Sequence, residues 1–227
     1  MLDFKNESLL VISPHADDEV LGCGGLMDKI KKSGGSVYAL IFNVGSVAQK
    51  DRTHATALWK KETSNAMKFL KVDDYETIFD SPEDNRYLDS KPLHDIIKII
   101  ESDSKVSLDK IKPTIVAIPT NHSHHQDHVR IFNACVAALR PMRKPVPKFV
   151  LSYEAPEHSR WSASGAFEPN FFVDIEKNLK NNRVSIVTLE RILKGTKISR
   201  HMIDIKRPGS GIQPIYWNEV IKKIAKK

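Results

Sequence analysis

Residues 9–25 read LLVISPHADDEVLGCGG. A short apolar run, Leu9 to Ser13, leads through Pro14 into a turn that carries His15, Asp17, Asp18 and Glu19. Such a run, bounded by polar residues, suits a strand buried on both faces, as in a parallel sheet. Beyond the turn, Leu21, Leu26, Met27 and Ile30 recur at roughly helical spacing, and the pattern stops at Gly34-Gly35. A strand that passes through a polar turn directly into a helix is the opening unit of an α/β fold. The turn also poses a chemical problem. Carboxylates this close repel one another and resist losing water, so something must hold them together.

The same alternation continues along the chain. Val37 to Val44 (VYALIFNV) is a second buried strand by pattern, and residues 53 to 70 are helical, with Leu58, Met67, Phe69 and Leu70 apolar. A short strand is expected at Thr77 to Phe79, a helix at Leu93 to Ile100 and a β-branched strand at Thr114 to Pro119 (TIVAIP). A helix at Ile131 to Leu139, strands at Lys148 to Tyr153 and Phe171 to Val173, and a helix including Thr188 to Leu193 complete the expectation. Strands alternating with helices predict an α/β, Rossmann-like, mainly parallel sheet flanked by helices. The Pro-rich stretch PMRKPVPK (Pro141 to Lys148) reads as a loop, because strand-like sequence resumes directly after it. With 227 residues the chain is expected to form a single domain, 1–227.

Composition narrows the class. The chain is 41% hydrophobic and 28% charged, a globular balance. No apolar stretch reaches the length of a membrane span, and no basic-then-apolar leader is visible. Cys23 and Cys135 read as packed, reduced thiols of a cytoplasmic protein. The net charge is +7, but the lysines are scattered without an aromatic-rich binding motif, so no nucleic-acid partner is expected. The charge suits a solvated basic surface or an anionic small molecule. A Rossmann dehydrogenase is disfavoured because no G-x-G-x-x-G follows the first strand.

Two polar clusters follow two strands. His15, Asp17, Asp18 and Glu19 come after the first, and NHSHHQDH (Asn121 to His128) comes after TIVAIP. In a doubly wound sheet, ligands bind beyond the carboxyl ends of the strands, so both clusters should meet at one edge. A divalent cation stabilises neighbouring carboxylates and accepts neutral imidazole. His15 and Asp18 can face one ion, and a histidine of the second cluster can close a three-ligand set that leaves a position open. Each cluster alone has a plainer reading: Asp17 or Asp18 as a helix cap, and NHSHHQDH as a surface loop.

PHADDEVLGCGG resembles the signature of the LmbE-like (PIG-L) superfamily of zinc-dependent de-N-acetylases, and HQDH (His125 to His128) is similar to that family's second motif. The resemblance covers roughly Leu9 to Val150, and FEPNFFVDIEKNL (Phe167 to Leu179) resembles a later strand and helix of the family. It implies that His15, Asp18 and His128 hold Zn2+ or another divalent metal. It implies that Asp17 is the general base and that His125 stabilises the tetrahedral intermediate or protonates the leaving amine. Asp127 would orient His125 and favour its charged form, and Glu19 would stand behind the ligands. Two departures stand out. Ala16 occupies a position where the family most often has proline, and Trp59 stands where an arginine near the substrate is usual. Lys60, Lys61 or Arg52 can supply a cation instead, Trp59 can stack on a sugar or simply pack in the core, and Asn121 is a further candidate contact.

The resemblance thus implies a metal-dependent hydrolase that removes an N-acetyl group from an amino sugar or related glycoside, nucleotide-linked ones included, with the C-terminal part (about 150–227) completing the substrate pocket. The alternatives are a metal-dependent hydrolase of another amide or ester, and a non-catalytic sugar- or nucleotide-binding module. The expected partner is a small molecule, not a membrane or a nucleic acid.

Overall fold

The computed structural model describes residues 4–44, 52–81, 88–142, 144–154, 167–175, 185–189, 192–206, 212, 217–221 and 223–224. The chain divides into two compact units, Met1–Val173 and Asp174–Lys227.

The first unit is built on five parallel strands: β1 (Ser8–His15), β2 (Ser36–Asn43), β3 (Asp74–Phe79), β4 (Ile115–Pro119) and β5 (Phe149–Tyr153). Their order is β3-β2-β1-β4-β5. Register is regular, with Leu9 opposite Val37 and Ile115, and Val11 opposite Ala39 and Ala117. The helices are α1 (Asp18–Lys32), α2 (Arg52–Phe69), α3 (Leu93–Lys98), α4 (Leu108–Ile111) and α5 (Gln126–Ala138). No helix among the described residues is long and apolar enough to cross a membrane.

Alternate residues of the central strands serve opposite faces, which is why they read as continuous apolar runs. Leu10, Ile12, Leu40, Phe42, Val116 and Ile118 form one cluster with Ile96 of α3, Leu108 of α4 and Ile131, Ala134 and Cys135 of α5. Leu9, Val11, Val37 and Ala117 form another with Cys23, Leu26, Met27 and Ile30 of α1. Ala39, Ile41 and Val44 pack with Met67 of α2. Each fully buried aliphatic side chain contributes roughly 1.5–3 kcal/mol.

Element types follow the sequence expectation through the sheet, and the differences have local causes. α5 begins at Gln126, well before Ile131, because its first turn is polar and is capped by His125 rather than marked by apolar spacing. α3 ends at Lys98 and the chain continues as one wider turn, Ile99–Asp103. Phe171 to Val173 are not in a strand. In the second unit, the expected helix at Thr188 to Leu193 is replaced at its start by β6 (Ser185–Thr188), which pairs antiparallel with β7 (Ile203–Lys206). The run SIVT is rich in β-branched residues and finds a partner in IDIK, so pairing overrides the helical spacing. A short helix, α6 (Trp217–Val220), follows, and residues 190 and 191 of the expected helix lie outside the described residues.

One glycine of the opening motif is set by close packing. Tyr153, at the end of β5, donates its hydroxyl to the carbonyl of Ile12 at 3.0 Å and lays its ring on α1 at Gly22. A Cβ at Gly22 would overlap that ring, whereas one at Gly24 would meet only Val20 Cγ1 at 3.5 Å. Gly22→Ala should therefore destabilise the protein by roughly 1–3 kcal/mol, as overpacking does. Gly24→Ala should be neutral or stabilising by up to about 1 kcal/mol. Denaturant unfolding of the two variants checks the contrast.

Candidate functional site

The sheet order places a switch point between β1 and β4: the chain leaves β1 toward β2 and β3 on one side, and β4 and β5 lie on the other. Crevices at such points are where α/β sheets bind ligands. β1 ends on His15, α1 starts at Asp18, and the turn after β4 runs into α5, with His125 at its N-cap position. The polar segments expected to share an edge therefore meet.

Asp18 is the centre of that meeting. It is 1% exposed, and His128 is equally buried. Asp18 Oδ2 lies 3.2 Å from His128 Nε2 and 3.4 Å from His15 Nδ1, and it accepts the backbone N–H of His15 at 3.2 Å. Burial alone would raise the Asp18 pKa, but hydrogen bonding with His128 and His15 outweighs it and lowers the pKa well below the usual range. His15 shows the mirror effect. Burial pulls its pKa down, yet Asp127 and Asp18 hold it up at about 9. The three rings of His15, His125 and His128 form a compact group, with centroids 4.7 to 5.5 Å apart.

Asp127 and His125 are also placed here. Asp127 Oδ2 is 3.0 Å from His15 Nε2 and 4.0 Å from His125 Nδ1. His125 Nδ1 accepts the backbone N–H of Asp127 at 3.3 Å. Burial, then the positive charge of His15, pushes the His125 pKa down, outweighing the opposite pull of Asp127. Asp127 thus does favour the charged ring, but more weakly than burial and His15 oppose it, because the carboxylate sits against His15.

Asp17 stands at the N-cap of α1, but its side chain makes no capping hydrogen bond and is exposed. Its backbone, at φ 154° and ψ −31°, is strained for a residue with a Cβ. The strain is held from both sides. Its N–H goes to Glu19 Oε2 at 3.1 Å, and its carbonyl accepts from Val20 and Leu21 at 3.0 and 2.9 Å. Glu19 is buried behind the turn, where Ser13 Oγ donates to the same oxygen at 3.2 Å. Burial raises the Glu19 pKa to about 7 against the pull of backbone N–H groups.

Donor atoms of His15, Asp18 and His128 all lie within 4.8 Å of one another, as do those of His15, His125 and Asp127. Two imidazoles and one carboxylate are the kind of donor set that a catalytic zinc site uses. The proposed substrate contacts are placed differently. Trp59 is half-buried and packs on the cluster of Ala39, Ile41, Val44 and Met67, which Ala16 also joins. Lys60 is exposed and pairs with Asp80 at 3.1 Å, and Asn121 is exposed in the turn after β4. Arg52 opens α2, and its side chain lies outside the described residues. Ser13 is a site residue missed from sequence. Its signal was a hydroxyl inside an otherwise apolar buried strand.

Comparison with known proteins gives the family. The sequence model of the PIG-L family, GlcNAc-PI de-N-acetylase, matches residues 10–139, more than half of the chain, and so takes in both motifs. The chain belongs to this family of de-N-acetylases. It is 27% identical over 175 residues to the uncharacterized deacetylase YaiS of Escherichia coli (strain K12), covering 76% of this chain and 84% of that one. It is 29% identical over 145 residues to the probable N-acetyl-alpha-D-glucosaminyl L-malate deacetylase 2 of Bacillus subtilis (strain 168), covering 61% and 63%. In fold it is similar to the N,N'-diacetylchitobiose deacetylase of Pyrococcus horikoshii, with a TM-score of 0.57 at 21% identity over 77% of this chain and 66% of that one.

The Ser13 hydroxyl serves a buried carboxylate, so its removal leaves that group short of a donor. Ser13→Ala should cost roughly 1–3 kcal/mol, the range for hydrogen bonds to charged groups and for buried groups left unsatisfied. Unfolding in denaturant measures it.

Proposed function

We propose that this protein is a metal-dependent hydrolase that removes an N-acetyl group from an amino sugar or related glycoside. The observation that carries the reading is the set of half-buried His15 with buried Asp18 and His128 at the switch point, with the exposed carboxylate of Asp17 next to Asp18. The family supports N-deacetylation as the reaction. The Bacillus subtilis relative's name specifies a malate-bearing N-acetylglucosaminide, and the +7 charge of this chain favours an anionic sugar of that kind or a nucleotide-linked one. The buried free thiols of Cys23 and Cys135 fit a reducing, cytoplasmic setting.

In this reading His15, Asp18 and His128 hold the ion. A divalent metal there supplies positive charge beside the scissile amide and makes water easier to deprotonate. Asp17, strained outward at the mouth of the turn, takes a proton from the attacking water. The oxygen of that water bonds to the acetyl carbon, and the carbon–nitrogen bond breaks. His125, beside the same centre, gives its Nε2–H as a hydrogen bond to the developing oxyanion, and the protonated Asp17 passes the proton it took from water to the departing amine. The proton removed from water thus ends on the amine, and the products are acetate and a free amino sugar.

Metal analysis of the purified protein should find about one divalent ion per chain, the stoichiometry of a single catalytic site. His15→Ala and His128→Ala should lose it. Asp17→Asn should keep the ion and lower kcat by about 10²–10⁴-fold, the range of a general base. A fully active Asp17→Asn would remove Asp17 from that role. The substrate class is tested by acetate release from N-acetylglucosamine, nucleotide-linked N-acetyl sugars and N-acetylglucosaminides. Turnover is expected with at least one of them, and highest with an anionic one. Binding without release of acetate from any would favour a non-catalytic sugar-binding module.

A further inference from the structure

By its place in the HQDH motif, Asp127 is the partner of His125. The atoms pair otherwise. Asp127 Oδ2 is 3.0 Å from His15 Nε2, a hydrogen-bonding distance, and 4.0 Å from His125 Nδ1, which is not. His125 Nδ1 is already engaged, because it accepts the N–H of Asp127 as the N-cap of α5. A ring nitrogen whose lone pair takes an N–H has no proton of its own to give a carboxylate. The neutral His125 ring therefore carries its proton on Nε2.

His15 has the complementary need. Its Nδ1 faces Asp18 Oδ2, the oxygen that also faces His128 Nε2. To bind an ion in that set, Nδ1 must be bare, and the ring's proton must sit on Nε2. Asp127 is placed to receive it. Asp127 is buried at 8% exposure, which partly shields the pairing from competing water.

We propose that Asp127 is a positioning residue for His15: it fixes the Nε2–H tautomer and the ring orientation that present Nδ1 to the metal, while the N-terminus of α5 sets the tautomer of His125. The inference rests on the metal reading above. It gives the first turn of α5 three separate tasks: His128 binds the ion, Asp127 orients a ligand from another element, and His125 donates from Nε2. Partners that take the second N–H of a ligating histidine commonly matter 10–100-fold for metal affinity.

The test reads metal affinity rather than turnover. Zinc binding is measured by competition with a chromogenic chelator for the full-length wild type, Asp127→Ala, Asp127→Asn and His125→Ala. Asp127→Ala should weaken zinc binding 10–100-fold. Asp127→Asn, which keeps an acceptor without the charge, should lie between it and the wild type. His125→Ala should bind zinc as the wild type does while losing activity. Asp127 variants that bind zinc as the wild type does would overturn the inference alone. A wild type that binds none would remove the metal reading and the inference with it. Should the Asp127 variants fail to fold, nitrogen-15 NMR of the zinc-loaded wild type decides. A slowly exchanging proton on His15 Nε2, with Nδ1 bound to zinc, is expected; zinc on Nε2, or a freely exchanging proton there, would overturn it.

Discussion

The structure of this site turns on burying Asp18. A carboxylate at 1% exposure is strongly disfavoured unless its charge is met by partners with good geometry. Here the partners come from two directions, His15 at the end of β1 and His128 in the first turn of α5. His15 reaches it locally, three residues away, but His128 can do so only if β4, which precedes α5, lies directly beside β1. The register of Leu9 with Ile115 and Val11 with Ala117 provides that, and the apolar faces of both strands hold it. The hydrophobic core thus supplies the stability that a cluster of buried polar groups lacks.

The turn between β1 and α1 shows the same division. Asp17 is exposed and backbone-strained, while its neighbours Asp18 and Glu19 are buried. Alternation of this kind in a three-residue acidic run needs an anchor, and Glu19 is that anchor, bonded to Ser13 of the strand and to the N–H of Asp17. Three adjacent acids therefore occupy three environments. One faces solvent, one faces two imidazoles, and one is enclosed with a hydroxyl and a backbone donor. The pKa values of the two buried acids are pushed apart accordingly, with Asp18 lowered and Glu19 raised to about 7. Divergent environments for adjacent carboxylates are how one short segment provides groups of different chemical character at the same pH.

Much of this was legible in the sequence, for physical reasons. A strand buried on both faces has to be apolar throughout, so LLVIS and TIVAIP announce themselves, and the polar residues after them have to lie at the carboxyl edge of a parallel sheet. What could not be read depends on contacts distant in sequence or on polar local structure. The start of α5 lies in a polar turn without apolar spacing. β6 exists because Ser185–Thr188 meets Ile203–Lys206, a pairing that no local window contains. Trp59 offered two readings, a sugar platform or a packed aromatic, and its contacts with the Ala39, Ile41, Val44 and Met67 cluster support packing.

The HQDH motif shows most clearly why a motif does not fix its own hydrogen bonds. In a loop, residues two apart could turn their side chains toward each other, and a histidine–carboxylate pair would be the natural reading. At a helix start the backbone changes the competition. The first turn of α5 has N–H groups without intrahelical partners, and one of them lies 3.3 Å from His125 Nδ1. That contact occupies the nitrogen a carboxylate would need, and it leaves Asp127 to the ring of His15, which β1 has already brought to 3.0 Å. The pairing is thus decided by which element each residue starts or ends, a property of the fold and not of the four letters.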